Sequence, residues 1–457
     1  MLADLAQRAY GTAVIVRNLV GQEQAPYLPQ DQLRELRDRR VRSMVLYAAQ
    51  SVPFYREFFR QEGIDPRQIR TAEDLQLLPL IDKETVHEQP QQFMSQSRQA
   101  RKPLAFYSSG TTGMSLTVYH DRYSLLANSA FNARIRAVIR SLIGNPLGQR
   151  TLDIGHPDGV LPALSQFVRR NRFTPFRAPR RFISVSQPVE RIVEAVNDYQ
   201  PDLISSYGSL VEALFASVAA RGMHMHTPKL IIYYSDAVSP EGRRQIEEGF
   251  GIPLISEYSA VEAFKIGFLC EERTGFHVHD DLTHVRIVDA AGREVAEEET
   301  GYLVISNLVN RAMVLLNYRL GDTGSWARER CPCGRTLRQL ARFDGRGGNR
   351  VIYLKDGGFA HPAHLALLIS KRMEQDRAGL LQWQIIQHEP TVFEFRLATR
   401  DRSSFDRHIG GFVSDLQAAF GPSATIEPSY FQERLPVEAG SRFKTIIPFG
   451  FTEDGPA

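Results

Sequence analysis

Apolar residues recur at helical spacing through residues 31–49, where Leu33, Leu36, Val41, Met44, Val45 and Ala48 predict an amphipathic helix. Ser51-Val52-Pro53-Phe54-Tyr55 ends it, because proline disfavours helical backbone at the residue before it. A second, short helix is expected near Thr71-Ala72-Glu73-Asp74, with Thr71 as its N-cap. From 121 to 240 the period alternates. Residues 123–143 read as helix and Arg181–Val185 as strand. Val189, Ile192, Val193 and Val196 mark a helix that Pro201 stops. Leu203–Ser206 is a strand, Ser209–Ala220 a helix and Lys229–Tyr234 a strand. Such alternation predicts an α/β fold with a largely parallel sheet covered by helices. Ligands in such sheets bind outside the carboxyl ends of the strands. The turns Ser206-Tyr207-Gly208, Ser235-Asp236-Ala237 and Glu257-Tyr258-Ser259 are therefore better site candidates than the helices.

After residue 265 the texture becomes β. His277–Val288, Gly301–Ser306 and Val314–Tyr318 read as strands, with turns at Ala291-Gly292 and Thr300-Gly301. The run Arg342-Phe343-Asp344-Gly345-Arg346-Gly347-Gly348-Asn349 is the best linker in the chain. Beyond it a separate pattern begins. Trp383–Gln387 and Thr391–Ala398 form a hairpin around Glu389-Pro390. Phe405, Ile409, Phe412, Val413, Leu416 and Phe420 form a helix face weakened by Gly410-Gly411, and Thr425–Phe431 is another strand. The expected organisation is a large domain over 1–344, with its β region at 265–340, and a small α+β domain over 345–457 behind a hinge.

The length of 457 residues requires more than one core. A hydrophobic content of 43% with 23% charged residues is that of a soluble globular chain. A net charge of +3 over this length gives no argument for nucleic acid or an anionic membrane as partner. No apolar run is long enough to span a bilayer. The N-terminal stretch is interrupted by Asp4, Arg8 and Arg17, so a helix is expected there and not a secretory leader. Three cysteines, an odd and sparse count, point to a reducing cytoplasm.

Chemistry concentrates first in Ser108-Ser109-Gly110-Thr111-Thr112-Gly113. Two glycines bracket two hydroxyls, two more hydroxyls precede them, and apolar residues flank the run on both sides. Glycine lets the backbone N–H groups approach a ligand closely, and the hydroxyls add donors for phosphate oxygens. The alternative is a polar surface turn between two strands. It is not the common P-loop, because no Gly-Lys-Ser/Thr closes it. The second concentration is Cys270, His277, Cys331 and Cys333. Three thiolates and one imidazole make a closed tetrahedral zinc set with no position left for water, hence a structural role. His279 is an alternative ligand. The competing reading is a buried Cys270 beside a redox-sensitive Cys-x-Cys turn. His156, His361 and His364 have no ligand spacing, and His120 is expected at the surface or facing an acyl pocket.

Taken in order, these motifs resemble the adenylate-forming superfamily, and within it the branch of phenylacetate–CoA ligases and CapK-like proteins. Val52-Pro53-Phe54-Tyr55-Arg56, Gly63-Ile64 and Leu78-Pro79-Leu80 are similar to the branch's N-terminal entry. Ser108 to Gly113 resembles the phosphate loop. Tyr258-Ser259-Ala260-Val261-Glu262 resembles the tyrosine-to-glutamate motif, Tyr318-Arg319-Leu320-Gly321-Asp322 the ribose-holding aspartate motif, and Gly345-Arg346 the start of the hinge. The resemblance implies ATP-dependent activation of a carboxylic acid as an acyl-adenylate. Transfer to coenzyme A, a carrier-protein thiol or an amine would follow. The alternative within the branch adenylates a hydroxyl of a coenzyme-like acceptor, and a reduced, non-catalytic nucleotide binder is the third reading.

By the same resemblance, the glycine loop would hold the β- and γ-phosphates and Glu262 would bind Mg²⁺. Tyr258 would stack on adenine beside Glu257 and Ser259, with Ser235-Asp236-Ala237 as the adenine-side loop. Asp322 and Arg346 would reach the ribose. The small domain would first bring a cation to the α-phosphate and then rotate. At its tip, Ala439-Gly440-Ser441-Arg442-Phe443-Lys444-Thr445 departs from the family: Arg442 stands in the usual lysine's place and Lys444 two residues on. Gly348-Asn349 replaces acidic hinge residues, and Met114-Ser115-Leu116 ends the phosphate loop.

Overall fold

A computed structural model describes the chain except residues 1, 101, 109–115, 145–148, 174–178, 345–351, 356–358, 377–378, 437–444, 450, 453–454 and 457. Strand alternation accounts for its layers. Successive side chains in a strand point to opposite faces. Leu203, Leu230, Ile232 and Ile255 accordingly pack with Ile135, Val138 and Ile139 on one face. Ile204, Ile231 and Leu254 pack with Ile192, Val196, Leu210 and Leu214 on the other. A sheet clad on both faces can be parallel, and it is.

The strands, in chain order, are β1 (Leu104–Tyr107), β2 (Thr117–His120), β3 (Thr151–Gly155), β4 (Arg180–Ser184), β5 (Leu203–Tyr207), β6 (Leu230–Tyr234) and β7 (Leu254–Tyr258). They continue with β8 (Gly267–Leu269), β9 (Phe276–Val278), β10 (Thr283–Val288), β11 (Gly301–Asn307), β12 (Tyr318–Trp326) and β13 (Gln339–Asp344). β1 and β2 form an antiparallel hairpin. The others make one sheet of eleven strands, ordered β10-β11-β12-β13-β9-β8-β7-β6-β5-β3-β4. It is parallel from β7 to β4 and antiparallel from β8 to β10. β7 therefore joins a doubly wound half to a meandering half. The helices Gln30–Ser51 and Pro53–Glu62 close the antiparallel half, burying Val41, Met44, Val45, Tyr55 and Phe59 against Val285, Ile305, Leu316 and Trp326.

The C-terminal part adds the short pair β14 (Ile352–Tyr353) and β15 (Phe359–Ala360). A four-stranded sheet follows, built from β16 (Leu380–Glu389), β17 (Val392–Thr399), β18 (Thr425–Gln432) and β19 (Ile446–Ile447), in the order β18-β17-β16-β19. Helices Pro362–Met373 and Arg402–Phe420 pack on it around Trp383, Phe393, Phe395, Phe412 and Phe420. The helix over 402–420 runs unbroken through Gly410-Gly411. At Gly411 a Cβ would lie 2.2 Å from an Arg372 guanidinium nitrogen, so the absent side chain admits Arg372, whose Nη2 donates to Asp415 Oδ1 at 2.9 Å. The architecture is α/β, with a large mixed sheet and a small C-terminal sheet domain.

Three expectations change. Thr71 caps nothing: Asp74 Oδ2 accepts the Arg70 and Thr71 N–H groups and the Thr71 hydroxyl, each at 2.9 Å, and the turn is a short 3₁₀ segment at Glu73–Leu77. The run expected as one strand over His277–Val288 is two, because residues 279–282 turn inward and deliver Asp281 to Arg134. Val314–Leu316 is apolar yet not a strand. It threads irregularly through the core, with the Val314 N–H on Phe93 O at 3.0 Å and the Leu316 N–H on the Tyr55 hydroxyl at 2.9 Å.

Candidate active site

The carboxyl ends of β3, β5, β6 and β7 open into a cleft of about 2730 Å³. Its floor is built from three of the turns expected from sequence. At Ser206-Tyr207-Gly208 the next helix starts directly. A Cβ on Gly208 would lie 2.4 Å from Asp236 O and 2.8 Å from Ala237 C, so only glycine allows that loop so close. Ser235 holds φ at 72°, a left-handed conformation rare outside glycine. Asp236 then turns back, accepting the Ser209 N–H at 3.2 Å and the Ser209 hydroxyl.

At the end of β7 the side chains split by strand alternation. Tyr258 points to β12 and donates to Asp322 Oδ2 at 2.7 Å. Glu257 points the other way and pairs with Lys265. Asp322 is 5% exposed and Glu262 2%, so both carboxylates face the cleft from protected positions. The Tyr318 hydroxyl lies 3.4 Å from Glu262 Oε1. Glu262 is held from behind by Asn307, whose amide donates to the Glu262 carbonyl at 2.9 Å. Two carboxylates, an amphipathic ring and a strained loop thus converge on one opening.

Ser108 forms the root of the glycine loop. Its N–H donates to Leu116 O at 2.9 Å and its Oγ accepts the Leu116 N–H at 2.8 Å, closing the hairpin of β1 and β2. Ser109, Gly110, Thr111, Thr112 and Gly113 lie outside the described residues, as do Arg346, Arg442 and Lys444. His120 is neither at the surface nor open to the cleft. It is fully buried, with Nε2 2.7 Å from Val261 O and its ring against Phe106 and Phe264. Burial pushes its pKa down to about 4, so it is neutral.

Sequence spacing gave no hint of the contact that the C-terminal domain makes over this cleft. His361 stacks on Tyr207, with ring centroids 3.9 Å apart, and its Nε2 lies 3.3 Å from Asp236 Oδ2 and 3.2 Å from Ser209 Oγ. His364 stacks on His156 at 3.7 Å. Lys371 pairs with Asp158 at 3.2 Å, and Thr117 donates to Glu374. Burial pushes the Tyr207 hydroxyl up to about 12 and the His364 imidazole down to about 3. These residues come from elements far apart in sequence, and only the docked fold assembles them. Lys265 was missed although it lies only eight residues from Glu257, because the chain must fold back for the two to meet.

The four candidate metal ligands do meet. One donor atom each from Cys270, His277, Cys331 and Cys333 lies within 4.8 Å of all the others. Cys270 Sγ and Cys331 Sγ are 3.6 Å apart, and Cys333 Sγ is 3.3 Å from His277 Nε2. Zinc–sulfur bonds near 2.3 Å in a tetrahedron put sulfurs roughly 3.8 Å apart, so the donor set fits a metal ion. Burial pushes the Cys270 thiol up to about 12, and a nearby cation would be needed to hold it as thiolate. His279 does not join the set. Its Nδ1 lies 3.1 Å from Arg134 in the buried Asp281 network. Among the described residues no helix is long and apolar enough to cross a membrane.

No family model matches the chain. It is 27% identical over 397 residues to the phenylacetate–coenzyme A ligase of Thermus thermophilus, covering 84% of each chain. To the enzyme of that name from Escherichia coli it is 25% identical over 335 residues, 70% of this chain and 73% of that one. A crystal structure of 2-hydroxyisobutyryl-CoA ligase with 2-HIB-AMP and CoA in the thioesterification state aligns with a TM-score of 0.63. It shares 17% identity and covers 94% of this chain and 91% of that one. An open conformation of the same ligase gives 0.60, covering 92% of each. The structural likeness shows a shared fold.

Proposed function

From its place in the adenylate-forming superfamily, as a homologue of the phenylacetate–coenzyme A ligases, we propose that this chain is an ATP-dependent acid–CoA ligase. The observation that carries this is the convergence of Ser108, the Ser235–Ala237 loop, Tyr258, Glu262 and Asp322 on one cleft at the strand ends. In the first half-reaction the acid's carboxylate oxygen attacks the α-phosphorus of ATP. The bond to the β-phosphate oxygen breaks, and pyrophosphate leaves. In the second, the sulfur of coenzyme A attacks the acyl carbon, the thiol gives up its proton, and AMP leaves.

Each residue has a task in this reading. Ser108 roots the loop whose Ser109, Gly110, Thr111, Thr112 and Gly113 cradle the β- and γ-phosphates. Asp322, oriented by Tyr258, accepts from the ribose hydroxyls, with Arg346 beside it. Ser235, Asp236, Ala237 and Ser259 frame the adenine together with the backbone of Glu257, whose side chain turns away to Lys265. Glu262 would hold Mg²⁺, which prefers carboxylate and phosphate oxygens and spreads the charge developing on the leaving pyrophosphate. Arg442 or Lys444 meets the α-phosphate; both are cations, but arginine is a planar fork and lysine a point charge.

The division into 1–344 and 345–457, hinged near Gly345, gives the two orientations that two half-reactions need. Cys270, His277, Cys331 and Cys333 would hold a structural Zn²⁺ that pins the strands around Asp322. The place of work is a reducing cytoplasm, where such thiols persist.

The test is pyrophosphate exchange into ATP across a panel of acids, followed by AMP release on adding coenzyme A. Exchange with some acid and CoA-dependent free AMP support the proposal. AMP found covalently on an acceptor hydroxyl would establish the nucleotidyl-transferase alternative, and no exchange with any acid would leave a non-catalytic nucleotide binder. Arg442→Ala and Lys444→Ala, made singly, identify the adenylating cation; if neither slows exchange, that stretch has been misassigned.

A further inference from the structure

One wall of the cleft carries more positive charge than its own carboxylates balance. Helices Arg122–Phe131 and Ala133–Ile143 are joined at Asn132, which keeps helical backbone with φ −59° and ψ −13°. The near-continuous helix puts Asn128, Asn132, Arg136 and Arg140 in one row at intervals of four, and all four line the cleft. Behind them the apolar residues Ile135, Val138 and Ile139 pack on the sheet. The row is therefore a polar rail fixed to a rigid support.

Most charges on this wall are matched. Arg140 pairs with Glu23 at 2.7 Å, Arg180 donates to Asp153 Oδ1 at 2.6 Å, and Lys265 pairs with Glu257. Arg181 lies over the Tyr199 ring. Besides Arg169, that leaves Arg136 and Arg172. Neither has a side-chain hydrogen bond or ion pair among the described residues, and Arg172 Nε is buried without an acceptor. Protein packed around its guanidinium first, then the Arg172 and Arg180 charges, lower the pKa of Arg136. Arg136 is exposed in the cleft and Arg172 half-buried; two unpaired like charges on one cleft wall draw an anion to it. Position separates this wall from the nucleotide. Tyr258 and Glu257 leave β7 on opposite sides, Tyr258 towards Asp322 and Glu257 towards Lys265 and the Arg136 wall.

We propose that the acid activated here carries a second anionic group, distal to its reacting carboxylate, and that Arg136 and Arg172 bind it. The inference rests on the acid–CoA ligase reading and adds the substrate class: a dicarboxylic acid, or an acid bearing a sulfonate or phosphate. A guanidinium fork matches such a group with paired, charge-assisted hydrogen bonds. The other source of an anion is the 3′-phosphate of coenzyme A, and the experiment separates the two.

Calorimetric titration of the full chain, with AMP and Mg²⁺ present, compares phenylacetate with its para-carboxylate. A charge-assisted hydrogen bond is worth enough for the dianion to bind about tenfold or more tightly. Arg136→Met should bring the ratio of the two affinities towards one, Arg172→Gln should lower it, and Arg136→Lys should keep part of it. Circular dichroism of each variant checks the fold. Equal affinities in the wild type, or no binding of the dianion, overturn the proposal. So does an Arg136→Met variant that loses affinity for coenzyme A but not for dephospho-coenzyme A while the acid ratio stands. Because binding is read directly, the ratio is independent of turnover. Missing pyrophosphate exchange beside an intact ratio would refute the ligase reading and not this one.

Discussion

The Tyr258 hydroxyl donates to Asp322 Oδ2 at 2.7 Å, tying the last residue of β7 to the middle of β12. The two residues are 64 apart in sequence and lie on strands that are not neighbours in the sheet. The bond therefore reaches across the mouth of the cleft. Its consequence is that the ring expected to stack on adenine also sets the direction of the carboxylate expected to hold the ribose.

Tyr258→Phe keeps the ring and removes the donor. A buried hydrogen bond to a charged group contributes about 1.5–3 kcal/mol, so the melting temperature should fall modestly. Affinity for AMP should fall about tenfold if the lost orientation is felt at the ribose. Asp322→Ala should weaken AMP further. Calorimetry with AMP and Mg²⁺ reads both. A lowered melting temperature with unchanged AMP affinity would mean that the bond serves the fold alone.

The Cys/His cluster joins three pieces of the antiparallel half: Cys270 follows β8, His277 lies in β9, and Cys331 and Cys333 sit in the loop between β12 and β13. Elemental analysis of purified protein should find zinc close to one per chain. Cys333→Ser should lose most of it and lower the denaturation midpoint, because the free energy of binding a structural zinc is folding free energy. Wild-type protein treated with a chelator should match the variant. Full stability without metal would assign the cysteines to simple packing.

Asp281 anchors the turn that splits β9 from β10. Arg134 grips it with both nitrogens, at 2.7 and 2.8 Å, and Arg40 adds a third contact at 2.8 Å. The side chains of Arg134 and Asp281 are 0% and 1% exposed. Burial raises the Asp281 pKa, but the Arg134 charge and its hydrogen bonds outweigh this and hold it well below the usual carboxylate range. Arg134→Met leaves a buried charge with one partner fewer and should cost about 3–5 kcal/mol. The sign with pH follows from the lowered value: the stabilisation is complete above the ordinary carboxylate pKa and is lost as pH falls further. Denaturant unfolding of wild type and variant should thus converge in strong acid.

The parallel half was largely legible because its alternation is local. Leu203–Tyr207 and Leu230–Tyr234 announce themselves as short apolar runs between helical patterns, and the hairpin around the glycine loop did the same. What failed was long-range. Val314–Leu316 looks like a strand but is apolar because the core surrounds it, not because it pairs. The strand Gln339–Asp344 was missed, its last three residues falling in an expected linker. The clustering of Cys270, His277, Cys331 and Cys333 was readable from residue type alone, since few other arrangements use all three cysteines. The Lys265–Glu257 pair and the histidine contacts were not, since each needs two elements in their folded positions.

Those histidine contacts should make the docking of the C-terminal part depend on pH. His364 meets His156 across the domain boundary, with His361, Asp158 and Lys371 around them. Burial lowers both pKa values, that of His364 to about 3, helped by the neighbouring His156 and His361 rings; Asp158 opposes and Lys371 adds to the lowering. Undocked, each ring would titrate near the ordinary value of about 6.5. The separated state then binds more protons below that pH, so docking weakens as pH falls from about 6.5 towards the docked values. The loss is at most about 1.4 kcal/mol per pH unit for each ring. Small-angle scattering from pH 7.5 to pH 5 should show the chain expanding while far-ultraviolet dichroism stays constant. His364→Phe keeps the stacking and removes one proton site, so it should shift the expansion to lower pH. Expansion at the same pH in the variant would place the titrating group elsewhere.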